Sequence, residues 1–480
     1  MIDETLLDRI IDIGSRKGAS YIEARYQLNK GFSLSMRNGK ILALSNYVEE
    51  GVGIRVLVDG SLGFASTNNL TIDGLYEAVE RAVATAKSTS RLRKRPIELS
   101  EERLGTVKYS VDEKKPLEDF SVEDLLSLGR TTYEASQGAV RESKIPVMAF
   151  SANLELQEKL VVTSDGARVY SRVPRPYLSF NTVLYHPQKG TLQRHREFGA
   201  SGGLEWIETW NPTKQVVEEL PALERVLLEG VKPPSEKVDV IVGSEIVGLL
   251  VHESAGHPME ADRILGREAA QAGESYVKPE MIGEYRIGNK FATVIEDPTI
   301  PGSYGFYLFD DEGVPARPRY LYKEGVINEP LHNRHTARVF GTKSNAAARA
   351  MNYSSEPIIR MSNTYFKPGD MSFEELIEDI DLGVYLKSYM EWNIDDIRWN
   401  QRYVGLEAYL IRKGEIAGPV RNPVLEITTQ GFYSNIKGVD KNLQFYPGTC
   451  GKGEPSQGVP VWFGGPNVRL TGIRLGVSPI

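Results

Sequence analysis

Two dipeptides, Asn38-Gly39 and Asp59-Gly60, do most to restrict what this chain can fold into. Each lies between alternating runs, FSLSMR and KILALS around the first, GIRVLV and SLGFAS around the second. Such dipeptides favour tight turns with positive φ, whose twist matches that of antiparallel strands. The pattern predicts two successive β-hairpins, preceded by a short segment over Tyr21–Gln27. Helical signals surround them. Leu6, Leu7, Ile10, Ile11 and Ile13 form one stripe, with Gly18 placed to stop it. Leu75 to Ala86 reads as a second helix, and Ser121-Val122-Glu123-Asp124 resembles a capping box opening a third. Antiparallel strands with packed helices make this part α+β.

At 480 residues the chain exceeds one ordinary core, so two domains are expected. The patterning stops at Val231-Lys232-Pro233-Pro234-Ser235, which divides the chain into 1–232 and 233–480. The second part opens with a strand, VDVIV, and a helix capped by Ser244. Further turns fall at Glu324-Gly325 and Lys413-Gly414, and Ser372-Phe373-Glu374-Glu375 marks another helix start. This part is expected to be β-rich, with one prominent helix carrying two histidines.

Composition narrows the function classes. Hydrophobic residues are 41% and charged residues 25%, which is globular. A net charge of −7, from 57 basic and 64 acidic residues, argues against a nucleic-acid or anionic-membrane surface. The one basic run, Arg91-Leu92-Arg93-Lys94-Arg95, reads as a solvated linker. The single cysteine, Cys450, excludes an intrachain disulfide and suits a reducing compartment. The acidic, helical start is not expected to act as a signal peptide, and no run of about 18 uncharged apolar residues occurs. A cytoplasmic protein is expected.

Chemistry concentrates in VHESAGHPMEADRI, Val251 to Ile264. His252 and His257 are five residues apart, with Glu253 directly after the first. On a helix, a spacing of four leaves side chains about 40° apart, but a spacing of five about 140°. Two histidines so placed share an ion only if the helix is distorted between them, and a π-bulge absorbs one such residue. Gly256 loosens the backbone there. Pro258 cannot bond the Ser254 carbonyl and disfavours the α conformation at His257. The break falls where a metal site needs it.

A catalytic zinc takes three protein ligands and keeps one open position. For the third ligand the sequence leaves Glu260, Asp262, His332, His335 and Cys450 open. Cys450 lies in PGTCGKGEPSQG, whose glycines let a backbone approach closely, and thiolate is a good zinc ligand. Glu253, beside the pair, is placed to act as general base toward water at that open position. His186 and His195 carry no motif. A serine hydrolase or P-loop enzyme is discounted, and no G-x-x-x-x-G-K-[ST] occurs. FGASGGL, at Gly199 to Gly203, lacks the lysine a phosphate cradle needs.

VHESAGHPMEAD resembles the H-E-x-x-x-H signature of the TldD/PmbA metallopeptidase family. GVGIRVLVDGSLGFAST, DDEGVPARPRYLYKEGVI, RMSNTYFKPGD and CGKGEPSQGVPVWFGGPNVRL match that family in order and spacing. The resemblance implies zinc held by His252, His257 and Cys450, with Glu253 catalytic, in a peptidase acting on unfolded or extended peptides. It also implies a dimer, with a PmbA/TldE-type subunit or with itself, in which this chain is the TldD-type catalytic member. The alternative is a non-catalytic, metal-stabilised subunit that supports a related partner. One stretch departs from the pattern: GVYLKSYMEWNIDDIRWNQRY is bulkier and more charged than the family's glycine-rich segment, so substrate contacts there are not carried over.

Overall fold

The computed structural model describes residues 2–268 and 273–478. Strand makes up 41% of the fold and helix 25%, which bears out the α+β, β-rich class. Helix α1 (Glu4–Arg16) starts where Asp3 accepts from the Thr5 N–H, and Gly18, at φ +94, follows its end.

The two expected hairpins share one long strand. β1 (Tyr21–Arg37), β2 (Lys40–Val58) and β3 (Ser61–Thr67) are joined by Asn38-Gly39 and Asp59-Gly60, all four turn residues at positive φ. Tyr21–Gln27 is not a separate element but the start of β1. Gly31 does not break the strand. A Cβ there would lie 2.5 Å from the Leu154 carbonyl, so the glycine allows close approach within the sheet.

Helix α2 (Ile72–Thr89), strand β4 (Thr106–Ser110) and helix α3 (Val122–Ala139) follow. Ser121 caps α3 by accepting from the Asp124 N–H. Then come β5 (Lys144–Thr163), β6 (Arg168–His186), β7 (Gly190–Gly199), α4 (Glu205–Trp210) and α5 (Pro212–Glu229). The seven strands form one sheet, in the order β3-β2-β1-β5-β6-β4 with β7 also on β6.

Alternation along β1 separates two environments. Ile22, Ala24, Tyr26, Phe32, Leu34 and Met36 face the helices, with α1 and α2 covering one end and α3 and α5 the other. Glu23, Arg25, Gln27 and Asn29 face the opposite way and are also buried. There Arg25 donates to the Asn352 and Ser355 carbonyls, and Gln27 to that of Met351. A polar sheet face thus docks the N-terminal half onto the C-terminal half.

In the C-terminal half, β8 (Val238–Val242) leads into α6 (Ser244–Val251), which is buried along its whole length. The expected cap at Ser244 is corrected. Gly243 occupies the cap position and Ser244 is the first helical residue. A Cβ at 243 would lie 2.4 Å from the Lys387 carbonyl, which leaves room for glycine alone. The turns at Glu324-Gly325 and Lys413-Gly414 form with positive φ, and Ser372 and Glu375 make a complete capping box. One six-stranded sheet contains β8. A second ends with strand Gln457–Gly465 and, outermost, strand Gln444–Lys452. No helix among the described residues is long and apolar enough to cross a membrane.

Candidate metal centre

Helix α6 continues past Val251 with a change of register. The His257 N–H donates to the His252 carbonyl, five residues back, closing a π turn over His252–Gly256. A 3-10 turn over His257–Met259 follows, and extended backbone at Glu260 ends the run. The extra residue brings the two imidazoles together, with ring centroids 5.0 Å apart and planes at 85°.

Two local expectations need correction. His257 keeps α dihedrals, φ −61° and ψ −45°, despite Pro258. It is held on both sides, its N–H by His252 and its ring by Glu260 and Cys450. The Ser254 carbonyl that Pro258 cannot reach accepts from Tyr322 Oη at 2.8 Å and Tyr276 Oη at 3.1 Å. Gly256 matters for space rather than looseness, since a Cβ there would fall 1.9 Å from Met361 Sδ.

Cys450 arrives from the outermost strand, its Sγ 3.5 Å from His257 Nε2. Arg360 fixes that strand by donating to the Cys450 and Gln457 carbonyls. The ligand atoms of His252, His257 and Cys450 lie within 4.8 Å of one another, and all three residues are buried. Among the described residues this is the one such His, Cys or carboxylate cluster.

The other candidates for a third ligand lie elsewhere. Glu260 Oε2 accepts from His257 Nδ1 at 3.2 Å and from Arg263 Nε at 2.5 Å. Burial opposes its charge, but Lys452, Arg263 and His257 hold its carboxyl well below the usual range. Asp262 is taken by Lys452 Nζ at 2.7 Å. His332 is buried against Thr336 and Phe340, and His335 bonds the Glu98 carbonyl. Glu260 therefore orients His257 from behind, presenting Nε2 to the cluster.

The donor set fits a soft divalent ion. Burial lowers the pKa of both imidazoles, which favours the neutral, ligating form. Burial pushes the Cys450 thiol up, but His257 and Arg360 outweigh it and bring it to about 7. His252 Nδ1 is buried with no hydrogen-bond partner among the described residues, an orphan that a metal would satisfy.

Glu253 is buried beside His252, and its carboxylate accepts from Arg398 Nη1. Sequence reasoning missed Arg398, which lies in the stretch set aside as unlike the family pattern. Also missed were Tyr276, Tyr322 and Arg360. The one signal for Arg398 was a cation in a bulky segment where small residues were expected.

Family models match three consecutive stretches: PmbA/TldA metallopeptidase domain 1 over residues 22–86, the central domain over 115–226 and the C-terminal domain over 235–477. A metalloprotease of Methanothermobacter thermautotrophicus is 32% identical over 99% of both chains. A zinc metalloprotease TldD homolog of Saccharolobus solfataricus is 26% identical over 96% of this chain and 97% of its own. The crystal structure of TldE from Thermococcus kodakarensis shares the fold, with TM-score 0.77 at 18% identity over 98% of this chain and 100% of that one. The chain belongs to the PmbA/TldA metallopeptidase family.

Proposed function

We propose that this protein is a zinc-dependent peptidase that cleaves unfolded or extended peptides. In this reading His252, His257 and Cys450 hold the metal and Glu253 is the general base. The observation that carries it is the convergence of two imidazoles and a thiol within 4.8 Å of one another, all three buried. Zinc, when bound, supplies Lewis acidity, polarising a carbonyl and making water acidic enough to lose a proton at about pH 7. Glu253 takes that proton on its carboxylate and returns it to the leaving amine. Glu260 and Arg360 hold His257 and the Cys450 strand in place. Cys450 lies on the outermost strand of its sheet, and a sheet edge is where an extended peptide adds by backbone hydrogen bonds.

The division into 1–232 and 233–480, the cytoplasmic compartment and a dimer with a TldE-type subunit or with itself belong to the same proposal. The alternative, a metal-stabilised subunit supporting a partner, is favoured by one observation: Arg398 already engages the Glu253 carboxylate. Glu253→Ala separates the two readings. The peptidase reading expects the wild type, alone or with its partner, to cleave an unfolded peptide. The variant should not, while both carry about one zinc per chain. Full activity in the variant sinks the mechanism. Zinc without cleavage in the wild type supports the alternative.

A further inference from the structure

The ion pair between Arg398 and Glu253 is buried on both sides, and neither metal binding nor proton transfer as described requires it. Buried ion pairs contribute little net stability as a rule, since desolvation offsets their attraction. The chain nevertheless builds a dedicated support for this one. Arg398 lies in the tight turn between strands Tyr389–Ile394 and Asn400–Gly405, at φ +68°, a conformation costly for a side chain of its size.

The turn is tied from within and without. The Asp395 carboxylate accepts from the Trp399 and Asn400 N–H groups at 2.7 and 3.1 Å, and the Asp395 carbonyl from the Arg398 N–H at 3.1 Å. From outside, Thr429 Oγ1 donates to the Arg398 carbonyl at 2.8 Å. The Tyr276 N–H donates to the Ile397 carbonyl at 3.0 Å, and the Tyr276 ring packs edge-on to Trp399. Five backbone and side-chain bonds thus fix where the guanidinium emerges. A latch meant to swing away would need a looser hinge.

We propose that Arg398 is a positioning residue for the peptidase reaction, holding one oxygen of Glu253 so that the carboxylate stays a base and does not become a metal ligand. The inference rests on the peptidase reading. A carboxylate one residue from a metal-ligating histidine competes for the open coordination position. A guanidinium bonded to Oε2 neutralises that competitor and leaves Oε1 to accept a proton. The planar fork does this better than an ammonium, which offers a point charge without a fixed direction.

The test is Arg398→Gln, with Arg398→Lys and Arg398→Ala beside it, in full-length zinc-loaded protein. With an unfolded peptide as substrate, kcat should fall about 100-fold in Arg398→Gln, the scale of a small misplacement of a reacting group. KM and zinc content should stay near wild type, and Arg398→Lys should fall between. Millimolar guanidinium chloride should restore part of the activity of Arg398→Ala and none of that of Glu253→Gln. Independently of activity, melting of metal-free Glu253→Gln, Arg398→Gln and the double variant should give non-additive losses. Unchanged kcat, loss of zinc, additive melting losses or a rise in activity each overturn the proposal, the last by revealing a latch. A wild type that cleaves nothing overturns the peptidase reading instead, and that outcome is distinct from an active wild type indifferent to Arg398.

Discussion

Tyr322 donates its hydroxyl to the Ser254 carbonyl at 2.8 Å, filling the acceptor that Pro258 cannot serve. Tyr276 is the second donor, at 3.1 Å. Tyr322→Phe alone should therefore cost about 1 kcal/mol. Tyr276→Phe with Tyr322→Phe leaves a buried carbonyl without either donor and should cost about 2–3 kcal/mol. Urea denaturation of the metal-free proteins measures both. A double variant no worse than Tyr322→Phe would mean another donor steps in.

Gly256→Ala should be destabilising by about 1–3 kcal/mol, because the added methyl meets Met361 Sδ. The cost should shrink when Met361→Ala is made in the same chain, since the obstacle is a side chain rather than backbone. Melting temperatures of the two single variants and the double give the answer. Additive losses would show that the π turn needs glycine for its backbone after all.

Glu260→Gln tests how His257 is oriented. The carboxylate holds the Nδ1 side of the ring, so its loss should weaken zinc affinity by about 10–100-fold. Competition with a chromophoric chelator reads this directly. An unchanged affinity would assign Glu260 to pairing with Lys452 and Arg263 alone.

His332 supplies a pH dependence. Burial lowers its pKa from 6.5 to about 4. The unfolded chain thus binds a proton that the fold refuses, so stability is full above about 6.5 and is lost as pH falls toward 4. At pH 5 the loss should be about 2 kcal/mol relative to pH 7. His332→Gln should flatten the fall of the urea midpoint by that amount. An equally steep fall in the variant would move the effect to other groups.

What the sequence made legible was local. Asn38-Gly39 and Asp59-Gly60 announce their turns because positive φ is a property of the dipeptide, whatever surrounds it. The register change between His252 and His257 was readable from their spacing of five and from the N–H that Pro258 lacks, because helix geometry depends on the residues within one turn. Tyr21–Gln27 was read apart from the strand that follows it, because nothing local shows that Gly31 continues the strand by admitting the Leu154 carbonyl. Tyr322, Arg360 and Arg398 were invisible for a different reason. Each acts on a group 68 to 145 positions away, and no periodicity or spacing encodes such a meeting.

Cys450 and His257 are 193 residues apart along the chain. A ribosome that has finished the histidine helix therefore works for roughly 10–40 s more before the thiol exists, at ordinary elongation rates. During that interval the histidines are present and their sulfur partner is not. Chain order sets the sequence of assembly: the three side chains can meet only after the strand bearing Cys450 has been made and has folded back across the intervening sequence.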